Sequence, residues 1–117
     1  MKMKLNEILI KSFLEIIPII LMIVLIAIIK NDYLLLLIYI ILIIILFKIK
    51  YEKNEIYILV ITAILLTFFE YIFVSTGVEI FLRKTLLNVM PIWLPVLWGY
   101  SLVAGKRVIL YIDKFKN

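Results

Sequence analysis

Residues 56–74, IYILVITAILLTFFEYIFV, form an apolar run interrupted by a single acid, Glu70. As an α-helix rising 1.5 Å per residue, the run spans about 28 Å, close to the thickness of a bilayer's hydrocarbon core. Two comparable runs precede it and one follows. SFLEIIPIILMIVLIAII lies between Lys11 and Lys30, YLLLLIYIILIIILF lies between Asp32 and Lys48, and MPIWLPVLWGYSLVAG stops at Lys106 and Arg107. The pattern predicts an all-α membrane protein whose four transmembrane helices cover about 12–29, 33–47, 56–74 and 91–105 of a single domain, 1–117. The second run reaches only about 22 Å, so it needs snorkelling by Lys30 and Lys48 or local thinning of the bilayer.

Composition points the same way. With 67% hydrophobic and 18% charged residues, the chain lies outside the range of soluble domains, and its 117 residues leave room for about four helices and short turns. The basic start MKMK suits a signal peptide, but the apolar stretch behind it is too long, and no small-x-small cleavage site precedes Lys30. The first run is therefore expected to be a retained helix. Ten of the 13 basic residues fall in the N-terminal segment, the loop around Lys48–Lys53 and the C-terminal tail, which four spans place on one side. Lys30, Arg83 and Lys84 fall on the other. By the positive-inside rule both termini are expected in the cytoplasm, with the protein in the cell membrane. The net charge of +5 then reads as a topology signal and an attraction to anionic lipid headgroups, not as a nucleic-acid surface.

The chain contains no His and no Cys, which removes the usual ligands for metals and haem together with the usual general base and thiol nucleophile. No cofactor, metal site or enzymatic activity is expected. Three glycines in the whole chain leave neither a phosphate-binding loop nor a GxxxG face.

Most carboxylates have a structural explanation. Glu15 completes a Ser12-x-x-Glu15 capping box, and Glu79 follows Thr76 in the same pattern with Arg83 four residues on. Glu52, Glu55 and Asp113 sit among lysines at the cytoplasmic surface, and Asp32 caps helix two. Glu70 is different, because an acid at membrane depth costs roughly 2.5 to 3.5 kcal/mol on insertion scales. It shares a helical face with Ala63 and Thr67, the small and polar stripe expected to meet other helices. Two readings stay open. In one, Glu70 locks helix three to helix four through the Pro91 carbonyl that Pro95 leaves free, the Trp98 indole, or Lys30 or Arg83. In the other, it titrates, for proton coupling, cation binding or acid chemistry on a lipid. The candidate set is Glu70, Thr67, Ser75, Thr76, Arg83, Trp93 and Trp98.

Between helices three and four, TGVEIFLRKTLLNVM places Val78, Phe81, Leu82, Leu86 and Val89 on one helical face and Glu79, Arg83, Lys84 and Asn88 on the other. That predicts an amphipathic helix on the outer interface, entered at Gly77 and left through MPIWLP, with a kink at Pro95. Trp93 and Tyr71 suit one aromatic belt, and Tyr51, Tyr57 and Tyr111 suit the other.

From Glu70 through STG to PIWLPVLWG, roughly residues 70–105, the chain resembles the C-terminal half of a family of small, uncharacterised prokaryotic multi-pass membrane proteins. It departs from that family after the Thr-Gly pair, where Val78 and Phe81 stand in place of a denser group of aromatics. The resemblance implies a polytopic membrane protein without assigned activity. It draws attention to Glu70, Ser75, Thr76, Gly77, Pro91, Trp93, Pro95, Trp98 and Gly99. Small multidrug-resistance transporters share the length, the four helices and a membrane glutamate, but theirs lies in a Gly-rich helix one, whereas helices one to three contain no glycine here.

The expected role is that of a structural or accessory subunit in the lipid bilayer, with further copies of the chain or a larger membrane protein as partner. A small proton- or cation-coupled oligomeric transporter is the alternative, and a lipid-acting enzyme, lacking a second acid or a base, comes last.

Overall fold

The structure, a computed structural model, describes residues 4–77, 83–86 and 90–116. These residues form four helices, α1 (Leu5–Ile28), α2 (Asp32–Ile49), α3 (Glu55–Thr76) and α4 (Leu94–Lys116). The first three are long and apolar enough to cross a membrane.

The helix ends follow local chemistry. The Asn31 carboxamide oxygen accepts from the amides of Tyr33 and Leu34 at 3.0 and 3.3 Å, so Asn31, and not Asp32 as expected, caps α2. Asn54 turns the chain into α3 with φ 70, a left-handed conformation that asparagine tolerates. Gly77 ends α3 with φ 82, and its amide donates to the Val74 carbonyl at 3.1 Å, which is the turn expected at that glycine.

Several expectations need correcting. Helix α1 begins at Leu5, about two turns before position 12, so Ser12 and Glu15 lie inside the helix and form no capping box. Helix α4 begins at Leu94 and continues to Lys116, well past the boundary at 105. Pro95 therefore falls in its first turn, where no intrahelical bond is lost, and no kink is required. The Pro91 carbonyl is also not left free, because it accepts from the Leu94 amide at 3.2 Å. Finally, residues 83–86 are not helical. Leu86 and Met90 instead exchange backbone hydrogen bonds at 2.8 and 3.3 Å. The rest of the predicted amphipathic segment, 78–82 and 87–89, including the Glu79–Arg83 pair, lies outside the described residues.

Helix α4 is the hub. It packs along both α3 and α1 and more lightly on α2. Its approach to α3 is close at Gly99, where a Cβ would stand 2.7 Å from the Leu59 carbonyl oxygen. Met22, Leu35, Tyr39, Ile43, Trp93, Leu97 and Tyr100 fill the core between α1, α2 and α4. The Tyr39 hydroxyl, buried in this core, donates to the Met22 carbonyl. Helix α3 is inside out relative to a soluble helix. Its buried residues are Glu55 and Thr62, while Ile61, Ile64, Leu65 and Phe68 are exposed.

Candidate functional site

Buried charge is concentrated at the two ends of the bundle, about 21 Å apart along α4 from Trp93 to Arg107 at 1.5 Å per residue. Each end is organised by one of the two arginines.

At the Arg107 end, the guanidinium is 3% exposed and every N–H group is used. Its Nε donates to Glu55 Oε2 at 2.6 Å and its Nη2 to Glu55 Oε1, a two-point pairing that a lysine cannot reproduce. Nη1 reaches both carboxylate oxygens of Glu15, at 3.3 and 3.4 Å, and Nη2 also donates to the Lys50 carbonyl at 3.1 Å. One side chain on α4 thus ties the start of α3, the middle of α1 and the end of α2. Lys106 adds contacts to Glu55 and Glu52 at 3.1 and 3.3 Å, and the Glu52 amide donates to Glu55 Oε1 at 3.0 Å. Glu55 is fully buried and still well compensated, since three cationic or amide donors face it. Lys50 donates to the Tyr111 hydroxyl. Partial burial works against its ammonium, but Tyr111 and the nearby Glu15 carboxylate outweigh it and hold its pKa above the ordinary lysine value.

At the other end, Asp32 is the acceptor. Arg83 Nη1 reaches Oδ1 at 3.2 Å, Trp93 Nε1 reaches the same oxygen at 3.1 Å, and the Thr85 hydroxyl donates to Oδ2 at 2.9 Å. Thr85 in turn accepts from the Ile92 amide at 2.8 Å, which fixes the chain just before α4. Arg83 also donates to the Ile26 and Ile29 carbonyls at 2.9 and 3.2 Å. Helix α1 has no basic residue in its last turn, so Arg83 supplies the cation that complements its negative end. The Trp93 ring stands edge-on to Tyr39 with centroids 6.0 Å apart.

Of the candidates read from the sequence, Arg83 and Trp93 come together here, on Asp32. The others do not join them. Glu70 is half-buried near the end of α3. Thr67, Ser75 and Thr76 donate back to their own helix, at the carbonyls of Ala63, Tyr71 and Phe73. Trp98 is 44% exposed and borders a recess with Ile19 and Ile23 of α1, so the indole offered as a donor to Glu70 faces elsewhere. Arg83, another of the offered partners, is engaged by Asp32 and the α1 carbonyls.

Sequence reasoning missed Glu55, Glu15 and Arg107 as one cluster and treated Asp32 as a cap. The available signal was residue choice, because arginine is favoured over lysine where carboxylates are held in pairs and buried. Among the described residues, no three His, Cys, Asp or Glu side chains gather as a metal site would require. The clefts at mid-bundle are apolar. One about 500 Å³ in volume runs between α2 and α3, bordered by Leu36, Ile40, Ala63, Ile64, Thr67 and Val96. Compared with known proteins, the chain matches no family model, no curated protein and no solved structure.

Proposed function

We propose that this chain is a four-span protein of the cell membrane, with both termini cytoplasmic, acting as a structural or accessory subunit for a larger membrane assembly. The observation that carries the reading is how charge is used: each arginine is consumed in tying helices together, and the surface between the two clusters is mainly isoleucine, leucine and phenylalanine. Such a surface is suited to lipid and to other apolar helices. As the fourth span, α4 is the least apolar helix because it faces protein on several sides, and its two charges before the last turns meet carboxylates rather than lipid.

The likeness of residues 70–105 to small multi-pass membrane proteins is consistent with this role and names no activity. Transport coupled to Glu70 is the competing reading, and it requires water to reach that carboxyl. The apolar lining of the cleft beside Thr67 favours an acyl chain or a neighbouring helix there instead. The test is purification from native membranes in a mild detergent, with mass spectrometry of the intact complex. A second membrane protein retained in fixed stoichiometry is the expected result. A homo-oligomer that carries pH-driven flux in vesicles, lost in Glu70→Gln, would overturn it.

A further inference from the structure

Next to the Arg107 cluster, between α1 and α4, lies an open polar cleft about 400 Å³ in volume, lined by Lys11, Glu15, Lys50, Glu52, Tyr111 and Lys114. Three helices contribute its cations: Lys11 from α1, Lys50 from the end of α2 and Lys114 from α4. Tyr111, 6% exposed, forms its floor. The Lys11 and Lys50 ammonium groups stand 5.8 and 5.1 Å from the centre of the Tyr111 ring, so two like charges share one aromatic ring. The ring attracts each cation, and an anion held between the lysines adds to this by offsetting their mutual repulsion.

The two carboxylates on the wall offset only part of this positive charge, chiefly at Lys50. Glu15 faces Arg107, and Glu52 is held at 3.3 Å by Lys106, with Lys50 at the longer distance of 3.9 Å. Among the described residues, neither Lys11 nor Lys114 has a carboxylate within 4.0 Å. The Tyr111 hydroxyl, which accepts from Lys50, keeps its own hydrogen to donate.

We propose that this cleft binds a phosphate group, with Lys11, Lys50 and Lys114 neutralising it and Tyr111 donating a hydrogen bond. The cleft is at the bundle end that carries most of the basic residues, where the membrane reading places the cytoplasmic headgroups. An anionic glycerophospholipid headgroup is the source that fits this level. The placement rests on the proposed topology, but binding in micelles does not, so the two can fail separately.

The experiment measures binding to the purified chain in a neutral detergent by native mass spectrometry, with phosphatidylglycerol, phosphatidylcholine and glycerol phosphate as probes. One phosphatidylglycerol per chain is expected to be retained, at least tenfold tighter than phosphatidylcholine. The Lys11→Gln/Lys114→Gln variant, which breaks no ion pair, should bind roughly 25-fold more weakly, at about 1 kcal/mol per lysine and 1.4 kcal/mol per tenfold. Lys48→Gln/Lys53→Gln removes the same charge outside the cleft and should change binding less than about threefold, against the same per-lysine scale. Unchanged melting temperatures without lipid confirm that both variants fold. If glycerol phosphate binds as tightly as the lipid and is lost in the cleft variant, the site stands with a soluble source. Equal losses in both variants, or no preference for phosphatidylglycerol, would overturn it.

Discussion

Arg107 and Arg83 are the chain's only arginines, set against 11 lysines, and each is spent on a junction of helices. The reason is geometric. A guanidinium offers five donors in a fixed plane, so one side chain can satisfy two carboxylates and a carbonyl at once, whereas an ammonium acts as a point charge. Removing Arg107 leaves Glu55 buried without its main partner and Glu15 without its cation. Arg107→Leu is expected to destabilise the folded chain by about 3 to 5 kcal/mol, and Arg107→Leu/Glu55→Leu by much less, because the stranded charge goes with its partner. Thermal unfolding in detergent measures both, and similar losses in the two variants would count against the clamp. The reading of Glu55 as a surface acid is the one that fails here. Glu70 stood out because its neighbours in the chain are apolar, while Glu55 looked solvated because its neighbours are Glu52, Lys53 and Asn54. Burial of Glu55 comes from α4, 52 residues away along the chain, and no local pattern reports it.

Among the helices, the positions of α1, α2 and α3 were legible from apolar runs, since their side chains are apolar nearly all round. The end of α4 was not. Lys106 and Arg107 resembled a cytoplasmic stop, yet both are good helix formers and both find carboxylates, so the helix continues for about two and a half more turns. The start of α4 shifted for a related reason. Two prolines in PIWLP allow either a kink or a late start, and the Pro91 carbonyl closing on Leu94 selects the late start. The α3–α4 contact depends on Gly99. Gly99→Ala should cost about 1 to 3 kcal/mol, because the new methyl meets backbone, the Leu59 carbonyl, and one helix must move. Gly105→Ala is the comparison, since nothing lies within 4 Å of its Cβ, and there alanine should stabilise α4 by up to about 1 kcal/mol through helix propensity. A fluorescence or calorimetric melt of the two variants reads the difference, and equal shifts would mean that α3 and α4 do not meet at this glycine.

For the molecule as a whole, the distribution of polarity is the reverse of a water-soluble bundle. Asp32, Glu55 and Arg107 are inside, and exposed apolar side chains cover α1, α2 and α3. In water that surface would drive aggregation, whereas in a bilayer it needs no cover. In the proposed topology, four helices cross the membrane with the Arg107 cluster on the cytoplasmic side and the Asp32 cluster on the other. Because the chain lacks cysteine, single cysteines can report this without background. Lys30→Cys and Lys84→Cys lie on exposed positions at the Asp32 end, and Lys53→Cys and Asp113→Cys on exposed positions at the Arg107 end. In intact cells, an impermeant thiol reagent should label positions 30 and 84 and leave 53 and 113 untouched until the membrane is opened. Labelling of position 53 or 113 from outside, or of all four positions alike, would rule out this topology.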